Sequence, residues 1–69
     1  MKVYIAMWGN DEVRVFPHCK PYFSEFKKCW TNEGEVWSVN KSLEMGIDLS
    51  EYNMRLYDEP IELALTSNK

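Results

Sequence analysis

His18, Cys19 and Cys29 are the side chains of this 69-residue chain best suited to nucleophilic or metal chemistry, and their spacing argues against both. His18 is the one histidine, so a Ser-His-Asp relay or a Cys-His pair has to be built on it. In an extended segment the neighbours His18 and Cys19 point to opposite sides, a poor geometry for such a pair. With Cys29 they supply three zinc ligands at most, and no pair among them has the close spacing of a zinc knuckle. Two cysteines do not make a disulfide framework, and in a reducing compartment they stay free thiols.

Carboxylates occur close together at Asp11-Glu12, at Glu33 with Glu35, and at Asp58-Glu59. Glycoside-type chemistry uses two carboxyls facing each other across a cleft, but each of these groups falls in turn-forming sequence, where solvated charge is the expected role. So short a chain also leaves little room for a cleft that buries a substrate. Gly9, Gly34 and Gly46 are isolated, so no glycine-rich phosphate loop can be written, and no calcium-loop spacing is present. The expectation is a protein with no catalytic residue, no metal and no cofactor.

Charge is the better lead. Residues 1–43 hold six basic and five acidic side chains, a balance of +1, whereas residues 44–69 hold two basic and six acidic, a balance of −4; together they give the net −3. The acidic half suggests a face of Asp48, Glu51, Asp58, Glu59 and Glu62, with Tyr52 and Tyr57 as anchors and an exposed strand edge for backbone pairing with another protein. The alternative is a small single-stranded nucleic-acid-binding domain. It would use Arg14, His18, Lys20, Lys27 and Lys28 with Tyr22 or Phe23 as stacking rings, although an isoelectric point near 5.0 is not the basic footprint such domains usually carry.

These residues need elements to position them. Hydrophobic residues at 45% with ten aromatics argue for a folded chain rather than a disordered one. Its length argues for a single domain spanning 1–69. A core of this size seldom supplies more than about 3–5 kcal/mol, so the aromatics, a partner or a staple must help. Residues 2–8 alternate in strand fashion, Gly9 to Glu12 is turn chemistry, and Val13 to Phe16 resumes β-favouring residues, which predicts a hairpin ended by Pro17. His18 to Lys20, between two prolines, should be an exposed crossing.

From Pro21, the residues Tyr22, Phe23, Phe26, Cys29 and Trp30 fall within an arc of about 120° at helical spacing, predicting a helix with an aromatic stripe laid on the sheet. Asn32 to Gly34 would stop it. Glu35 to Val39 reads as a short strand. Asn40 suggests a cap for a turn of helix closed by Gly46, and Asp48-Leu49-Ser50-Glu51 has capping-box spacing. Asn53 to Tyr57 and Ile61 to Thr66 both alternate, predicting a C-terminal hairpin turned at Asp58-Glu59-Pro60.

The expected fold class is therefore α+β, a small mainly antiparallel sheet in the order β-β-α-β, short helical turn, β-β, with one aromatic-faced helix packed on it. A small barrel with an interposed helix is the alternative. Tyr22, Phe23, Phe26 and Trp30 are assigned to the core, leaving Tyr52, Tyr57 and either Trp8 or Trp37 as candidates for contact with a partner.

The opening Met1 to Trp8 lacks a small-residue cleavage site behind its apolar run and reads as a strand rather than a secretory signal. No run approaches the roughly 20 apolar residues of a membrane helix. A cytoplasmic location without membrane contact is expected, where the sequon Asn40-Lys41-Ser42 is silent. The functional expectation is a small non-enzymatic protein-binding module. It would be an inhibitor or regulator, of the kind phages encode against host machinery, docking on a basic surface of a nucleic-acid-handling protein such as a polymerase or nuclease.

Overall fold

Strand β1 (Lys2–Trp8) is the centre of the protein, because it feeds two buried layers: Val3 and Ile5 pack in one, Ala6, Met7 and the half-buried Tyr4 in the other. A computed structural model describes residues 2–9 and 12–65. β1 pairs antiparallel with β2 (Glu12–Phe16), with Ile5 opposite Val15 and Tyr4 opposite Phe16. This is the expected N-terminal hairpin, with Gly9 at φ +59 where the chain leaves β1 and Glu12 N donating to Gly9 O. Asn10 and Asp11, also assigned to that turn, lie outside the described residues.

The helix expected from Pro21 is not formed. Its place is taken by a second hairpin, β3 (Tyr22–Ser24) and β4 (Cys29–Thr31), in which Phe23 sits opposite Trp30 and their rings meet edge to face at 5.6 Å. A four-residue loop places Phe23 and Trp30 seven positions apart in sequence and on one face, a separation that two helical turns also produce. Phe26 decides between the two. A helix would put it in the stripe, whereas here it is 95% exposed at the loop. The crossing before it is as expected, with His18, Cys19 and Lys20 exposed.

Beyond β4, the expected strand at Glu35–Val39 is reduced to a single antiparallel bridge between Trp37 and Val15, with Trp37 N donating to Val15 O at 2.9 Å. Helix α1 (Val39–Glu44) then begins at Ser38 rather than Asn40, because the Ser38 hydroxyl accepts from Lys41 N. Gly46, at φ +90, closes α1 with its N–H on Leu43 O, as its sequence position suggested. A 3-10 turn (Leu49–Glu51) follows, capped by Asp48.

The expected C-terminal hairpin is also corrected. Asn53 to Arg55 forms no strand, Leu56 and Tyr57 lie in a turn closed by Asp58 N donating to Arg55 O, and β5 (Ile61–Ala64) pairs antiparallel with β1 instead, with Val3 opposite Leu63. β1 had one edge left to satisfy after pairing with β2, and closing it supplies more backbone bonds to the buried core than a peripheral hairpin does. Thr66, the end of that alternating run, lies outside the described residues.

The result is α+β with a three-stranded sheet β2-β1-β5, a two-stranded sheet β3-β4, one short helix and a 3-10 turn. Val3, Ile5 and Val15 pack under Trp37, Ile47 and Leu49 from the helical segment, with Tyr52 and Met54 at the margin. Ala6 and Phe16 pack with Trp30, and Phe23 and Leu56 complete that second layer. Trp30 is pinned there by Nε1–H donating to Leu56 O at 2.6 Å.

Candidate functional site

The acidic face assembles in part. Asp58 and Glu59 are exposed in the loop that leads into β5, and Glu62 is exposed on β5 itself. β5 is an end strand: β1 covers one edge, and among the described residues no strand pairs with the other. The opposite end of the sheet differs, because the Trp37 bridge covers part of the β2 edge. Glu62 lies 3.2 Å from Lys2 Nζ, an exposed pair that leaves the strand's charge partly compensated. Asp58 Oδ2 accepts from Arg55 N at 2.8 Å and Asp58 N donates to Arg55 O, so one carboxylate oxygen is committed to the turn.

Asp48 and Glu51 sit together on the 3-10 turn rather than on the β5 loop. The Asp48 carboxylate accepts from both Ser50 Oγ at 2.7 Å and Ser50 N at 3.0 Å, and these bonds hold its pKa below the usual carboxylate value. The two tyrosines separate. Tyr52 is half-buried and packs against the Val3 layer. Tyr57 is 73% exposed and rests one side on Phe23 at 5.2 Å, so it is held in place yet accessible.

The five basic residues do not form one patch of free cations. Arg14 is half-buried, held by Glu12 Oε1 at 2.7 Å and by Val13 O, with its guanidinium 5.8 Å from the Trp8 ring centre. His18 faces Glu35 at 3.4 Å. Lys20, Lys27 and Lys28 are exposed, and among the described residues no carboxylate lies within salt-bridge distance of their ammonium groups. Lys27 and Lys28 share the β3–β4 loop with Phe26. That loop is closed by Lys28 N donating to Ser24 O at 2.7 Å and Lys27 N to Ser24 Oγ, and Lys28 stands at φ +60.

A cleft of about 290 Å³ opens between the end of the first hairpin and the second, lined by Trp8, Gly9, Glu12, Lys27, Cys29 and Thr31. Cys29 is buried, though in a strand and not in a helical stripe, whereas Cys19 is exposed; both are free thiols. Among the described residues no three His, Cys, Asp or Glu side chains come together as a metal site, and no helix is long and apolar enough to cross a membrane. Trp37, a candidate for partner contact by sequence, is buried under Lys41, while Trp8 is 39% exposed.

Among the described residues, the fold and its surfaces define a small α+β protein with an open edge at β5 and an exposed aromatic and basic loop between β3 and β4. The chain matches no protein-family model, no curated protein and no solved structure. Sequence reasoning missed Phe26 as a surface residue and Lys28 as a strained one. The available signal was the mostly charged run Glu25-Phe26-Lys27-Lys28 between the triplets Tyr22-Phe23-Ser24 and Cys29-Trp30-Thr31.

Proposed function

We propose that this is a non-enzymatic protein-binding module that acts in the cytoplasm as an inhibitor or regulator, docking β5 and its acidic surroundings on a basic surface of a nucleic-acid-handling protein. The observation that supports this reading is the outer edge of β5, with which no strand pairs among the described residues, and the exposed Asp58, Glu59 and Glu62 along and before it. An open edge offers main-chain donors and acceptors to an incoming strand, and flanking charge selects the sign of the partner. Tyr57 adds an accessible ring beside the loop. Occupation of a polymerase's or nuclease's basic groove would block it sterically, with no chemistry required of this chain.

The test is capture of a basic partner on immobilised protein, repeated with Glu59→Lys/Glu62→Lys and at rising salt. Wild-type protein is expected to retain the partner at low salt, with binding weakened roughly tenfold or more by the double reversal and lost progressively as screening increases. Retention indifferent to both changes would sink the acidic-edge reading. The Lys2–Glu62 pair is exposed, so its loss has little effect on folding.

A further inference from the structure

We infer that the cleft between the two hairpins is a binding site for a phosphorylated aromatic base, with Trp8 as its stacking wall and the Lys27–Lys28 loop as its phosphate contact. Nothing in this site draws on the β5 edge. Three observations converge on it. Trp8 and Lys27 line the same cleft, whose volume of about 290 Å³ lies at the lower end of ligand pockets and suits a single planar ring system. Lys27 and Lys28 are exposed and have no carboxylate partner among the described residues, so their charge is available to an anion.

The third observation is the local cost of the loop. Phe26 is 95% exposed, and Lys28 holds φ +60, where glycine is the ordinary choice. The loop therefore presents an exposed ring and two ammonium groups on four residues, at the conformational cost of one left-handed non-glycine residue. Among the described residues, the carboxylates on the two loops that frame the cleft are Glu12 and Glu25; Asp11, next to Glu12 in sequence, lies outside the described residues. Glu12 is paired with Arg14 at 2.7 Å, which offsets its repulsion of a phosphate while leaving Oε2 to accept from an amino or imino group of a base. Arg14 in turn lies 5.8 Å from the Trp8 ring centre, so Trp8, Arg14 and Glu12 form one linked wall. A base with its phosphate can come from a free mononucleotide or from a single strand, and both present the same groups to this cleft.

Tryptophan fluorescence distinguishes them, because Trp30 and Trp37 are only 8% and 4% exposed and quenching by a bound base therefore reports on Trp8. The full chain is titrated at low salt with AMP and UMP, with a short single-stranded oligonucleotide, and with polyglutamate as an anion lacking bases. Quenching by oligonucleotide alone identifies a single-strand site, and equal affinity for the mononucleotides identifies a nucleotide site. Phe26→Ser is expected to weaken oligonucleotide binding about 5- to 150-fold, the range of one lost stacking contact. Lys27→Gln should lower the salt dependence of oligonucleotide binding by about one ion. Lys28→Gly should bind more weakly while unfolding at a higher temperature. The inference is overturned if neither nucleotide probe quenches at millimolar concentration, if polyglutamate quenches equally well, or if Phe26→Ser and Lys27→Gln, both shown folded by circular dichroism, bind like wild type.

Discussion

At the scale of single residues, the structure gives the same side-chain type opposite duties, and hydrogen bonding rather than hydrophobicity separates them. Trp30 and Trp8 both carry an indole, but Trp30 donates to Leu56 O while Trp8 lies at the protein surface. Trp30→Phe keeps most of the packing and leaves that carbonyl without its donor, so it should lower stability by about 1–3 kcal/mol in urea unfolding, whereas Trp8→Phe should be near neutral. Asp48 provides a second residue-scale test. Its carboxylate accepts two bonds from Ser50, so its folded-state pKa lies below the usual value. A group depressed in this way favours the fold fully above the usual carboxylate pKa, and that contribution vanishes as pH falls through the lowered one. An NMR titration should place the Asp48 midpoint below the ordinary aspartate value and find it moved upward in Ser50→Ala; an unshifted midpoint in wild type would contradict the hydrogen-bond geometry.

At the scale of elements, what could be read in the sequence depended on whether local pattern or long-range pairing fixed the outcome. The β1–β2 hairpin was legible because alternation, turn residues and Pro17 agree within a few positions. The caps at Asp48 and Gly46 were legible for the same reason. The β3–β4 hairpin was not, since a stripe of aromatics spaced 22, 23, 26, 29 and 30 satisfies a helical wheel, and only the burial of Phe23 against Trp30 without Phe26 reveals a loop. The alternation of β5 marks it as a strand but not its partner, because pairing with a strand some sixty residues earlier leaves no local mark. Of the acidic site, Glu59, Glu62 and Tyr57 were placed as expected on the surface, while the inward turn of Tyr52 followed from a layer that sequence did not disclose. Two caps make element-scale predictions. Ser38→Ala removes the acceptor for Lys41 N from a six-residue helix and should destabilise by about 1 kcal/mol, with Ser38→Asp largely restoring it. Lys28→Gly relieves the positive φ and should stabilise by up to about 1 kcal/mol in the same urea assay.

At the scale of the whole molecule, stability rests on one strand serving two interiors. β1 contributes Val3 and Ile5 to the layer under the helical segment and Ala6 to the layer under the β3–β4 hairpin, so neither layer survives if β1 loosens. Among the described residues no buried side-chain nitrogen or oxygen lacks a hydrogen-bond partner, and Ser42, the one buried polar residue in the interior, donates its hydroxyl to Ser38 O at 2.8 Å. The reserve is nevertheless small, because a core of this size seldom supplies more than about 3–5 kcal/mol. Ile5 is fully buried, and its truncation in Ile5→Ala should cost about 2–5 kcal/mol, most or all of that reserve. Phe26→Ser deletes a larger apolar side chain but one that is almost wholly solvated, and should change stability by no more than about 0.5 kcal/mol. Circular dichroism melts of the two variants therefore separate the two accounts of the aromatic content. A helix with Phe26 in its stripe would make both substitutions damaging, whereas a central strand with an external hairpin loop makes Ile5→Ala unfold near room temperature and leaves Phe26→Ser melting with wild type.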